Sequence, residues 1–227
     1  MKTTIVGSGA TFGTLPQCPT TPGFGSALLA RFAARGEDWQ HKYLRLAEVV
    51  HDLWPEQRVL GSGWDLAHVW TRIDYFAKFP NLRRGGDYGP EASYQLRAAI
   101  LEVYGKPLCE EVNALLNRGW AFTLLDIVAE LRAGDVLVSF NWDVVVELIV
   151  QRLKKVDLVQ APGVADNSVQ LIKPHGSVSW LHRVGGGRGG TVETPTEPVL
   201  SVTPMEPKDV KNGVQPFVIG AVPIKST

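Results

Sequence analysis

Two polar stretches have the residue types and the setting of a reactive site. Ser139-Phe140-Asn141-Trp142-Asp143 follows the apolar run Val136-Leu137-Val138, and Lys173-Pro174-His175-Gly176 follows Val169-Gln170-Leu171-Ile172. Each apolar run reads as a buried strand, so an Asn, an Asp and a His stand where strands end. That rim is where open α/β sheets bind ligands. His175 is the side chain type best suited to accept a proton near neutral pH. The ordinary alternative is a turn histidine bonded to backbone. Asn141 and Asp143 are preferred helix N-cap types, and one of them is expected to cap the following helix whether or not it meets a ligand. His41, His51 and His68 lie on helical segments and read as packing or surface residues. His182 lies on a strand, at no spacing from His175 that suits a metal.

A third element precedes these two. Thr3–Val6 reads as a first strand, cut off by Gly7-Ser8-Gly9. A strand, a Gly-x-Gly turn and a helix can cradle a phosphate. Glycine allows unusual torsions and close approach, and a helix start offers free N–H groups. The dinucleotide fingerprint G-x-G-x-x-G is broken here, because Phe12 takes the third glycine position. Glu37 and Asp38 lie at about the distance of the acidic residue that a dehydrogenase needs, but helix precedes them. A tight turn without a ligand explains the glycines equally well.

The rest of the chain must position these residues. A Gly-, Thr- and Pro-rich loop is expected up to Pro22. A helix then carries Phe24, Leu28, Leu29 and Phe32 and ends at Gly36. From about residue 39 to 133 only helical periodicity is found. Its apolar faces are Tyr43, Leu46, Val50 and Leu53; Leu66, Val69, Trp70, Ile73 and Phe76; Leu96, Ile100 and Val103; Leu108, Val112, Leu115 and Leu116; and Phe122, Leu125, Val128 and Leu131. Pro107 suits a helix start, and Gly134 is expected to end the last of these helices. A strand over 135–140 follows, then a helix with Val144, Val145, Leu148, Ile149 and Leu153 on its apolar side. Strands are expected over 169–172, 178–184 and 217–222, with a glycine-rich loop at 185–190.

Composition narrows the function. Lys plus Arg is 23 and Asp plus Glu is 23, so no basic face for nucleic acid is implied. Arg83-Arg84 and the cluster at 152–155 read as solvated surface. Cys18 and Cys109 are too few and too far apart for a four-cysteine zinc site or a disulfide scaffold, which suits a cytoplasmic setting. The N-terminus is too short for a signal peptide core, and no apolar run reaches membrane-spanning length.

Taken in order, Gly7-Ser8-Gly9-Ala10-Thr11, Ser139-Phe140-Asn141-Trp142-Asp143 and Lys173-Pro174-His175-Gly176-Ser177 with Trp180 resemble the motifs of the sirtuin-like (SIR2-like) superfamily. The Phe-Asn-Trp-Asp variant with Lys-x-His-Gly-Ser is closer to the bacterial branch known for NAD⁺-degrading domains in anti-phage defence. The resemblance implies one Rossmann-like α/β domain over residues 1–227. Its parallel sheet would be flanked by helices, with the 39–133 region as a large helical insertion. It implies that Gly7, Ser8, Gly9, Ala10 and Thr11 contact the pyrophosphate and ribose of NAD⁺. Asn141 would hold the nicotinamide ribose and a water, Asp143 would order the nicotinamide side, and His175 would act as general base. NAD⁺ would be the substrate, with no metal. The deacylase zinc cysteines and the Gly-Ile-Pro-Asp-Phe-Arg run are absent, which points to NAD⁺ hydrolysis over protein deacylation. A nucleotide-sensing or partner-binding module is the alternative. The family's fold usually continues to a Gly-x-Ser loop that holds the adenosine half. No such loop is read before Thr227, so a C-terminally shortened fold is expected. Its open strand edge would invite a second copy or a defence-system partner.

Overall fold

The computed structural model describes residues 1–15, 18–55, 63–78, 90–119, 123–153, 156–160, 168–183, 207 and 214–218. Phe122, Arg83-Arg84, the glycine run at 185–190 and the end of the expected last strand at 219–222 lie outside the described residues, as do positions 154–155 of the second basic cluster.

The fold is α/β. Strands β1 (Thr3–Val6), β2 (Val136–Ser139), β3 (Asp157–Gln160) and β4 (Ser168–Ile172) form a four-stranded sheet in the order β1-β2-β4-β3. Every pairing in it is parallel. The register sets Val6 beside Ser139 and Val138 beside Ile172. The C-terminal ends of β1, β2 and β4 therefore lie side by side, although the sequence separates them widely. The two faces of the sheet differ. Val6, Leu137, Ser139, Val169 and Leu171 are buried, whereas Val136, Val138, Gln170 and Ile172 are half-buried and Ile5 is 66% exposed. This period-2 alternation puts the packed core on one face.

Between β1 and β2 the described elements are helical. They are α1 (Ser8–Thr14), α2 (Phe24–Ala33), α3 (Trp39–Lys42), α4 (Leu44–Leu53), α5 (Leu66–Lys78), α6 (Pro90–Tyr104), α7 (Lys106–Asn117) and α8 (Thr123–Ala129), with a short 3-10 turn at Thr21–Gly23. The expected apolar faces are buried as read for Tyr43, Leu46 and Val50, for Leu66, Val69, Trp70 and Ile73, and for Leu108, Val112 and Leu116. Helix α6 goes further. From Ala98 to Tyr104 every residue is buried, Glu102 included, so its C-terminal half runs through the centre of the helical region. The core there is aromatic. Phe24 meets Trp64 edge-on at 5.1 Å, and Trp39 lies 5.9 Å from Trp64. Such pairs add about 0.5–1.5 kcal/mol beyond the area they bury.

Three expectations need correction. The loop expected up to Pro22 contains α1, which starts directly after Gly7. Gly134 does not end a helix. Helix α8 stops at Ala129, and Gly134, at φ +85°, donates its N–H to the Ser168 carbonyl at 2.8 Å and leads the chain into β2. Strand β3 was not anticipated. Gly36 behaves as expected. At φ +70° it closes α2, with its own N–H on the Ala33 carbonyl and the Glu37 N–H on the Phe32 carbonyl.

Helix α9 (Val145–Leu153) follows β2, and all of its residues from Val145 to Val150 are buried. After β4 the chain forms β5 (Gly176–Arg183), which pairs antiparallel with β6 (Val214–Val218) in a separate two-stranded ribbon. Strand β6 overlaps the expected 217–222 strand only at its start. Among the described residues no helix is long and apolar enough to cross a membrane.

Candidate active site at the sheet rim

Each candidate stretch is delivered by a strand end, and local sequence fixes its shape. After β4, Lys173-Pro174-His175-Gly176 makes a β-turn. The Gly176 N–H donates to the Lys173 carbonyl at 3.0 Å. Proline presets the backbone of the second turn position, and Gly176 supplies the φ of +76° at the fourth. The turn lifts His175 to the rim, half-buried, with its ring 5.5 Å from that of Phe140. Phe140 leaves β2 beside it, 44% exposed. The His175 ring nitrogens have no hydrogen-bond partner among the described residues, so the backbone-bonded turn histidine is not what these residues form.

Asn141 is 5% exposed and is tied down on one side. Its Nδ2 donates to the Gly7 carbonyl at 3.1 Å and to Thr11 Oγ1 at 2.8 Å. A carbonyl oxygen can only accept, so the amide can face Gly7 only through Nδ2. That leaves Oδ1 pointing the other way, buried and without a partner among the described residues. An unsatisfied buried acceptor costs roughly 1–3 kcal/mol. One buried acceptor at this strand end is therefore unsatisfied among the described residues.

Thr11 links the glycine stretch to the 139–143 stretch. Its hydroxyl accepts from Asn141 and donates to Asp143 Oδ2 at 3.2 Å. At 1% exposure it faces inward, so the structure uses it to orient Asn141 and Asp143 and not as a surface for pyrophosphate. Asp143 is likewise inside, 4% exposed. Its Oδ1 accepts the Val145 N–H, the first of the following helix, at 3.0 Å, from one residue before the N-cap position Val144. Burial, partly offset by the nearby Lys173 ammonium, pushes its carboxyl above the usual range. Neither of the two expected caps stands at the N-cap position, which Val144 holds, although Asp143 satisfies a first-turn N–H from beside it.

Gly7, Ser8, Gly9 and Ala10 line the adjoining edge. Ser8 and Gly9 are exposed, and Ala10 packs against the core. The expected reason for glycine, an unusual torsion, does not hold at Gly7, whose φ −131° and ψ −176° suit any residue. Packing does not require glycine either. A Cβ added at Gly7 or Gly9 would meet nothing within 4 Å. No contact among the described residues therefore requires glycine at either position.

Sequence reasoning missed what lies beneath the rim. The Lys173 side chain is fully buried and donates to Glu147 Oε1 at 2.7 Å, to the Asp143 carbonyl at 2.5 Å and to Ser177 Oγ at 3.1 Å. A signal was available. Glu147 is a lone acid in the apolar run Val144–Val150, and Lys173 directly follows an apolar strand. Charges in such settings are seldom fully buried unless paired. The Lys173–Ser177 contact has the spacing of a Ser–Lys nucleophile pair, but Ser177 is 0% exposed and cannot meet a substrate.

Two other features carry no chemistry of this kind. Cys18 and Cys109 are buried free thiols, and burial foremost pushes Cys109 up to about 12, far from a reactive thiolate. At the opposite end of the sheet, an open depression is lined by Lys2, Glu130, Arg132 and Asp135. Its two acids are already engaged. Lys2 pairs with Glu130 at 3.0 Å, and the backbone N–H groups of Lys2 and then Arg132 hold the Asp135 carboxyl below its usual range. The chain matches no protein-family model, and no curated protein is similar enough to count as a relative.

Proposed function

We propose that the chain is a SIR2-like, Rossmann-type domain that binds NAD⁺ and hydrolyses its nicotinamide–ribose bond, in a bacterial defence setting, with the region at 39–133 as its helical insertion. The observation that carries this reading is Asn141. Its amide is held by Gly7 and Thr11, and its buried Oδ1 is left without a partner among the described residues, at the end of the strand that neighbours the one leading to His175. A ribose hydroxyl or a water is the donor that such an acceptor takes. The half-exposed His175 imidazole is positioned to receive a proton, and the glycine edge leaves room for a pyrophosphate.

The chemistry balances with these groups. Water adds to the ribose C1′ as the bond from C1′ to the pyridinium nitrogen breaks. That bond's electron pair stays on nitrogen, so nicotinamide leaves neutral and needs no acid. The transition state is oxocarbenium-like, as in glycoside hydrolysis. His175 takes the water's proton, and Asn141 Oδ1 orients the attacking water or the ribose. The products are nicotinamide, ADP-ribose and a proton.

The test is nicotinamide release from NAD⁺, followed chromatographically. His175→Ala is expected to slow it by about 10²–10⁴-fold. The unfolding midpoint should hold, because the ring is half-exposed and makes no hydrogen bond to a described residue. Release that survives His175→Ala would remove the histidine from the mechanism. Calorimetric binding of NAD⁺ or ADP-ribose without release would favour a sensing module.

A further inference from the structure

The Lys173 ammonium has three protons, and three acceptors take them, each from a different part of the rim. The Asp143 carbonyl belongs to the turn that carries Asn141, Glu147 Oε1 to the first turn of α9, and Ser177 Oγ to the start of β5, just past His175. Ser177 Oγ lies 3.4 Å from the Trp142 carbonyl and 3.0 Å from Ser179 Oγ, and the Val178 N–H donates to the Trp142 carbonyl at 2.9 Å. The two turns that bear Asn141 and His175 are thus bound to each other through Lys173 and the residues beside it. With its donors saturated and its side chain 0% exposed, Lys173 cannot touch a ligand.

We infer that Lys173 is a positioning residue that fixes His175 relative to Asn141 by clamping the 173–176 turn to the 141–143 turn. The inference rests on the reading of this rim as the reacting site. It separates Lys173 from an ion that only neutralises Glu147. The contact to the Asp143 carbonyl is independent of Glu147 and joins the two turns directly, while the contact to Ser177 holds the hydroxyl that lies against the Trp142 carbonyl.

The experiment uses the full chain and two variants, Lys173→Met and the double variant Lys173→Met with Glu147→Gln. The single variant strands the Glu147 carboxylate and should unfold at lower urea. In the double variant no buried charge is left unpaired, and the urea midpoint should return toward that of the parent. Its kcat for nicotinamide release should stay down by about 100-fold, the size of effect that a displacement of about 1 Å produces, while KM moves little. Hydrogen exchange at the Val178 N–H, read without any ligand, should remain accelerated in the same folded double variant. Recovery of both midpoint and kcat would overturn the inference, as Lys173 would then do no more than balance Glu147. If the parent chain releases no nicotinamide, the proposed activity fails by itself. Val178 exchange then decides the clamp, with parental protection in the double variant overturning it and faster exchange sustaining it.

Discussion

Glu102 in the helical region and Glu147 beneath the sheet rim are carboxylates buried to similar depth, 5% and 3% exposed, and they are satisfied in opposite ways. Glu102 is met from outside. Lys42 Nζ and the Tyr43 hydroxyl reach Oε1 at 2.9 and 3.2 Å, and Arg35 reaches Oε2 at 3.1 Å. Both cations keep their stems near the surface, with side chains 46% and 42% exposed, and both also lie over the Phe32 ring. Glu147 is met from inside by one cation that has no contact with solvent, and its Oε2 is left without a partner among the described residues. The first cluster is complete and ties four side chains of the helical region together. The second leaves Glu147 Oε2 unsatisfied beneath the rim that bears Asn141 and His175. Of these two buried acids, the one in the helical region is fully satisfied and the one beneath the rim is not.

The contrast can be broken most sharply by removing each acid. Glu147→Ala leaves the Lys173 ammonium buried and unpaired, and the expected loss is about 3–5 kcal/mol by urea unfolding. Glu102→Ala lets Lys42 and Arg35 turn to water and orphans only the Tyr43 hydroxyl, so about 1–3 kcal/mol is expected. Equal losses would mean that the two clusters are built alike.

A smaller effect separates them by pH. Burial raises the Glu102 carboxyl, but the hydrogen bonds and charges of Lys42 and Arg35 outweigh it, so in the folded chain it titrates below its ordinary range. The stability this adds is present above the unfolded-state pKa and is lost as pH falls through the folded one. Asp143 has the opposite sign. Its folded pKa lies above the unfolded one, mainly through burial, so its favourable contribution is present below the unfolded pKa and is lost as pH rises through the folded pKa. Measured against the parent, Glu102→Gln should close its stability deficit on acidification. Asp143→Asn should gain relative stability as pH rises through the Asp143 range. Parallel pH curves for the two variants would remove the distinction.

The smallest expected change is at Gly9. It sits in the first turn of α1 with open space about its missing Cβ, so Gly9→Ala should stabilise the fold by up to about 1 kcal/mol. If the edge admits a pyrophosphate, the same substitution should weaken NAD⁺ binding in calorimetry. A gain in stability without loss of affinity would return Gly9 to an ordinary turn.

The rim was legible in the sequence because a buried strand that stops at a polar residue announces its own end. Asn141 and His175 stand where the apolar runs predict. Helix α1 was not legible. Its seven residues, Ser8-Gly9-Ala10-Thr11-Phe12-Gly13-Thr14, include two glycines and two threonines of poor helix propensity. It is held by tertiary contacts of Ala10 and Thr11 instead. Strand β3 offers only Leu158 and Val159 between Asp157 and Gln160, too short a run to show alternation. Gly134 was read as a helix stop because a positive φ serves a helix end and a strand entry equally well. The Lys173–Glu147 pair could be suspected from each residue's apolar setting, but which charge meets which depends on the sheet register that no local pattern encodes.

That register also bears on how the protein comes into being. The bonds from Asn141 to Gly7 and Thr11 and from Thr11 to Asp143 close loops of 134, 130 and 132 residues. Contacts of such long range are slow to form, because loop closure must precede the interactions that reward it. No segment emerging from the ribosome can orient Asn141 until its two ends have met across the whole helical region. The geometry about Asn141 therefore forms only after β2 has been made and has joined β1.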